Sequence, residues 1–151
     1  MSQVGIVLVS HSYKIAEGIK DLVAQVFKNV LVVAAGGTDD NEIGTSLEKI
    51  QSAVQEADRG DGAVIFFDLG SAMMNAELAI ELSGLEESVK IADAPFLEGA
   101  YVACLEAESG KNLKEVLTAG EGARGQKRRC KIKEGKNQLS NSLKHAEREE
   151  K

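Results

Sequence analysis

Four times in its first 93 residues the chain places a short apolar run, rich in β-branched side chains, at a glycine, serine or aspartate boundary. Helically spaced apolar residues follow each run. The runs are "QVGIVLVS" (3–10), "NVLVVAA" (29–35), "GAVIFFD" (62–68) and "SVKIAD" (88–93). Each is too short for a buried helix and reads as a strand covered on both faces. After the first, Ile15, Ile19, Leu22, Val23, Val26 and Phe27 make one helical stripe. After the second, Ile43, Leu47, Ile50 and Val54 make another, with Thr45 and Glu48 spaced as a capping box. Gly70-Ser71 opens a third helix through Met74, Leu78 and Leu82, and Gly84 is placed to end it. Pro95 suits the first turn of a fourth, running from Phe96 to Leu105. Asn112 starts a short closing helix, "NLKEVLTAG", and no internal repeat is visible.

This alternation predicts an α/β fold: a three-layer αβα arrangement with a mainly parallel four-stranded sheet and helices on both faces. Crossovers between parallel strands are right-handed, so successive helices cover the sheet. The common doubly wound order puts strand one between strands two and three. Ligands then bind beyond the carboxyl ends of the strands, where the winding reverses. Strand one ends at Ser10-His11-Ser12, strand two at Gly36-Gly37-Thr38, strand three at Asp68-Leu69-Gly70-Ser71 and strand four at Asp93. His11 and Asp68 therefore end the two strands that flank the switch point.

Charge divides the chain. Residues 1–123 hold 8 Lys+Arg against 20 Asp+Glu, a net of −12, whereas residues 124–151 hold 10 against 4, a net of +6. The expected organisation is one domain over 1–123 and a basic polar tail over 124–151. With few large apolar residues the tail cannot offset its ordering entropy, so disorder or a loose helix is expected. Its "QKRRCKIK" cluster could meet nucleic acid or an acidic surface. The plainer reading, a solvated tail beside its own acidic body, calls for no nucleic acid. No apolar run is long enough to span a bilayer, and no basic leader precedes "VGIVLVS". Cys104 and Cys130 form no metal or disulfide framework. A cytoplasmic protein without membrane contact is the expectation.

The chemistry follows from the converging strand ends. An imidazole with one nitrogen held by a carboxylate has a fixed tautomer, and its other nitrogen becomes the better nucleophile. Helix starts after His11 and Gly70 aim unpaired backbone N–H groups into the same crevice, and a glycine pair permits close approach. His11 and Asp68 are thus candidate catalytic residues for a phosphohistidine. Ser12, Gly37, Thr38, Gly70 and Ser71 are candidates to cradle the phosphoryl group. A zinc site needs about three or four ligands, and the body has a single histidine, so no metal or other cofactor is expected. A Ser-His-Asp triad would use Ser10, Ser12 or Ser71, but the Gly-x-Ser-x-Gly elbow is missing. No P-loop run occurs. Flavin binding at the switch point and a purely structural His11 capping a helix remain open on the residues alone.

"GIVLVSHS", "AAGGTDDNEIGTS" and "FFDLGSAMMNAELAIE" resemble, in this order, the phosphoryl-carrier subunits of phosphoenolpyruvate-dependent dihydroxyacetone kinase. These are relatives of the mannose-type enzyme IIA domain of the phosphotransferase system. The resemblance runs over residues 1–121. It implies that His11 takes a phosphoryl group from phospho-HPr and that Asp68 orients its ring. The group then passes to ADP held on the kinase's nucleotide-binding subunit, within glycerol metabolism. It also implies a homodimer. Some relatives continue into fused HPr-like and enzyme I-like domains, which this chain is too short to include, so separate carriers are expected. A sugar-transport enzyme IIA, or a regulatory module of the same fold in which His11 only binds an anion, is the alternative.

The fourth helix bears on the dimer from the residues themselves. Phe96, Leu97, Ala100, Tyr101, Val102, Cys104 and Leu105 are apolar around more of its circumference than one sheet face covers. In so small a domain a second copy is the simplest cover, with the closing helix folding back as the alternative.

Overall fold

The computed structural model describes residues 3–125. The apolar runs become β1 (Gly5–Ser10), β2 (Val32–Gly36), β3 (Ala63–Phe67) and β4 (Val89–Ile91). The helices are α1 (Tyr13–Val26), α2 (Leu47–Ala57), α3 (Gly70–Ser83), α4 (Phe96–Glu108) and α5 (Leu113–Gly122). All strand pairs are parallel, in the order β2-β1-β3-β4, so strand one lies between strands two and three as expected. Leu8 stands level with Ala34 on one side and Phe66 on the other.

Alternation along the strands divides the core in two. Val7, Val9, Val33 and Ile65 face α2 and α3, while Ile6, Leu8, Val64 and Phe66 face α1, α4 and α5. That is the three-layer arrangement. No helix of the described residues is long and apolar enough to cross a membrane.

Several local expectations change. The cap of α2 is Ser46, not Thr45: the Ser46 hydroxyl accepts the Lys49 N–H at 3.1 Å, and Glu48 is the second helical residue. Thr45 instead accepts a hydrogen bond from the Asn75 side chain at 2.6 Å. A capping box does form at α5, where Asn112 accepts from the Glu115 N–H and the Glu115 carboxylate accepts from the Asn112 N–H. Pro95 precedes α4 as its cap, and Gly84 ends α3 in the left-handed region, with φ 66°.

The larger correction concerns which faces are buried. Ile43 precedes α2 and is 79% exposed. Met74, Leu78 and Leu82 point outward from α3, whose inner face is Ala72, Ala76, Ala79 and Ile80. Ile15, Leu22 and Val26 are likewise exposed on α1, where Ala16 and Val23 are buried. Reading stripes by the largest side chains misses alanine, which lets a helix sit close to a sheet while its bulkier neighbours turn away.

At the carboxyl end of the body, Ala123–Gly125 form a 3-10 turn and Arg124 pairs with Asp93. The described fold therefore runs past the position where the charge balance changes. The expectation for the rest of the basic tail lies outside the described residues.

Candidate functional site

Because β1 and β3 are adjacent, Ser10-His11 and Asp68 leave the sheet side by side. Ser12 then caps α1, its hydroxyl accepting the Ile15 N–H at 3.2 Å. This fixes where the chain turns, and His11 sits in the turn between strand and helix.

Asp68 is the centre of the arrangement. Its Oδ1 accepts the Leu69 N–H at 2.7 Å and lies 3.0 Å from His11 Nδ1. Its Oδ2 accepts the Ser10 hydroxyl at 2.8 Å and the His11 backbone N–H at 2.9 Å. Burial pushes this carboxyl up, but the bonds from the His11 ring, the His11 backbone, Ser10 and Leu69 together hold it below its ordinary value. An ionised carboxylate only accepts hydrogen bonds. The His11 proton therefore resides on Nδ1, which donates to Oδ1.

That assignment leaves Nε2 with its lone pair. The Ser71 hydroxyl is 2.8 Å from Nε2 and donates to it when the ring is neutral. Ser71 is the second residue of α3, whose cap position, Leu69, offers no side-chain hydrogen bond. The N–H groups of Gly70 and Ser71 are thus available to an anion at this point, while that of Ala72 is taken by the Leu69 carbonyl. The side chains of His11 and Asp68 are 23% and 17% exposed, so the ring is held firmly yet open to an approaching group.

The proposed cradle is brought together only in part. Ser71 stands at Nε2, and Gly70 precedes it as the first residue of α3. The Ser12 hydroxyl is engaged as a helix cap. Gly37 donates its N–H to the Ser10 carbonyl, and Thr38 exchanges hydrogen bonds with Glu42 inside the loop that follows β2. Gly37 needs its φ of 77° there, and a Cβ on it would stand 2.9 Å from the Glu42 carbonyl oxygen. Gly44 donates to the His11 carbonyl at 2.8 Å, so the same loop also braces the histidine backbone. The loop contact was not legible in the sequence. Ser10 was legible only as a polar residue closing an apolar strand.

Ser71, His11 and Asp68 lie in the order of a hydrolase triad, although Ser71 belongs to a regular helix and no Gly-x-Ser-x-Gly elbow carries it. The arrangement admits two chemistries. The imidazole either takes a proton from Ser71 or attacks an electrophile itself through Nε2.

The family model described as the fructose IIA component of the phosphotransferase system matches residues 5–117. The PTS-dependent dihydroxyacetone kinase phosphotransferase subunit DhaM of Lactococcus lactis is 41% identical over 112 residues, covering 74% of this chain and 89% of that protein. The phosphoryl donor subunit DhaM of PEP-dependent dihydroxyacetone kinase 1 from Listeria innocua is 37% identical, covering 76% and 90%. Its counterpart in Escherichia coli is 34% identical, with 76% of this chain matching only 25% of that longer protein. Among solved structures, a protein of unknown function superposes with a TM-score of 0.74 at 32% identity, over 85% of this chain and 99% of its own. A dihydroxyacetone kinase of C. freundii superposes at 0.60 over 81% of this chain and 25% of its own, but at 19% identity this likeness concerns the fold alone.

Proposed function

The chain belongs to the fructose IIA component (mannose-type enzyme IIA) family of the phosphotransferase system, and on that footing we propose that it is a phosphohistidine carrier serving a dihydroxyacetone kinase. One observation carries the reading. The single histidine of the described residues directly follows β1 with Nδ1 held by an ionised aspartate, which leaves Nε2 as a nucleophile at the mouth of the sheet.

In the proposed reaction, Nε2 attacks the phosphorus of phospho-HPr. A new P–N bond forms as the donor's bond to the same phosphorus breaks. Asp68 stabilises the positive charge that the His11 ring acquires. The Ser71 hydroxyl, next to Nε2, turns its proton to a phosphoryl oxygen, and the opening N–H groups of α3 share the charge. In the second half, an oxygen of ADP bound on the kinase's nucleotide subunit attacks the phosphorus, and the P–N bond breaks to return the electron pair to Nε2 of a neutral imidazole. Ser12, Gly37 and Thr38 shape the crevice in this reading. Transfer of this kind belongs in the cytoplasm.

We also propose a homodimer. Leu97, Tyr101 and Leu105 are exposed along α4, and Leu22 and Val26 along the neighbouring α1. Phe27, the cap residue of α1, meets Tyr101 edge-on at 5.1 Å, so the two helices touch there.

The test is incubation with phosphoenolpyruvate, enzyme I and HPr, followed by intact-mass measurement and peptide mapping. A single phosphoryl group on His11, lost in mild acid and stable in alkali, is the expected result. An acyl phosphate on Asp68 would not survive the alkali. Label taken up unchanged by His11→Ala would sink the assignment.

A further inference from the structure

Ser10 is fully buried at the end of β1, and the proposed transfer does not call on it. A buried hydroxyl is tolerated only when hydrogen-bonded, and this one uses both of its capacities. Its O–H donates to Asp68 Oδ2 at 2.8 Å, and its oxygen accepts the Ser12 N–H at 2.9 Å. Of the four groups on the Asp68 carboxylate, two are backbone N–H groups and one is the imidazole being oriented. Ser10 is therefore the one other side chain that fixes the rotation of the carboxylate. It is in turn anchored to the cap of α1, which sets where His11 begins its turn.

We propose that Ser10 is a positioning residue for phosphoryl transfer: its hydroxyl sets the Asp68 carboxylate plane and, through it, the tautomer and orientation of His11. This rests on the reading of His11 as the phosphoryl acceptor. Without the hydroxyl, Oδ2 keeps a single donor and the carboxylate can turn about its last bond. The Nδ1–H bond to Oδ1 loosens, and a larger share of the ring carries its proton on Nε2. That share cannot attack phosphorus.

The experiment compares wild type, Ser10→Ala, Ser10→Cys, Asp68→Ala and the Ser10→Ala/Asp68→Ala double variant. Single-turnover transfer from phospho-HPr is measured for each, together with the ring ¹⁵N spectrum of unphosphorylated His11. Ser10→Ala is expected to slow transfer about tenfold, the scale of one hydrogen bond to a charged group. Ser10→Cys, of similar shape with a weaker donor, should fall between. The double variant should be no slower than Asp68→Ala alone, because Ser10 acts through Asp68. The spectrum of Ser10→Ala should move toward the Nε2–H tautomer.

Effects that multiply in the double variant, or a slowed Ser10→Ala with an unchanged ring spectrum, would overturn the proposal. If Ser10→Ala does not fold, the rate and spectrum of Ser10→Cys decide by the same criteria. Because the spectrum is read on unphosphorylated protein, it tests Ser10 even if His11→Ala were to show that the acceptor lies elsewhere.

Discussion

At the scale of single residues, the charged state of Asp68 is held by four hydrogen bonds against the cost of burial. Removing the carboxylate by Asp68→Ala should leave the fold intact and slow phosphoryl transfer about 10- to 100-fold, the scale on which loss of a group orienting a functional histidine is felt. Asp68→Asn should also be slow, since its amide can present N–H to Nδ1 and favour the wrong tautomer. Unchanged single-turnover rates in both would remove Asp68 from the mechanism. Asp58 is lowered in the same way, with burial opposed by the Ser88 hydroxyl and the N–H groups of Gly60 and Gly62. A carboxylate lowered in the folded state contributes stability that is present above its unfolded value and lost as pH falls through the folded one. Urea midpoints should therefore drop below about pH 4, and Asp58→Asn should flatten that acid limb. A limb as steep in the variant as in wild type would contradict this. For Cys104, burial and then the charge of Glu108 push the thiol up to about 12. A maleimide should label it only after unfolding, as peptide mapping will show.

Caps and close approaches decide matters at the scale of elements. Ser46→Ala should cost about 1 kcal/mol, as the loss of a cap does, measured by denaturant midpoint. The Glu48 spacing that pointed to Thr45 reflects only an acidic residue in the first turn, which favours the helix dipole whichever residue caps it. α4 and α5 touch through Gly99 and Gly120 above the Phe66 ring. A Cβ on Gly120 would stand 2.7 Å from that ring, and one on Gly99 2.8 Å from the Ala94 side chain. Phe66 is fully buried and has nowhere to move. Gly120→Ala should therefore destabilise by about 1–3 kcal/mol through overpacking, although alanine is otherwise the better helix former. A neutral or stabilising effect would show that the helices can separate without cost.

For the whole molecule, the proposed dimer and the site make separate predictions. Light scattering at micromolar concentration should give twice the chain mass. Leu105→Glu and Leu22→Glu should each shift it toward a monomer with an unchanged circular dichroism spectrum. A clean monomer for wild type would end the idea. His11 and Asp68 bond within one chain, so a heterodimer of His11→Ala and Asp68→Ala chains retains no intact site. Mixing the two should give no recovery of transfer, whereas clear complementation would mean that the crevice is shared between copies.

The order of elements, the parallel sheet and its strand order were all legible in the sequence. Those features follow from short-range periodicity and from a crossover rule that holds for nearly every chain of this pattern. His11 and Asp68 were legible for the same reason: strand ends next to a switch point are positions in a pattern, whatever surrounds them. The outward turn of Met74, Leu78 and Leu82 was not, because a helix rotates to satisfy its closest neighbour, and three alanines fitted the sheet better than three large side chains. Nor was the nitrogen left free on His11, which depends on a proton placed by Asp68 from a strand 57 residues away. Ser10 shows the division most plainly. The sequence marks it as a polar end to an apolar strand, but only packing β1 against β3 gives its hydroxyl an acceptor, since a hydrogen bond needs two partners within about 3 Å.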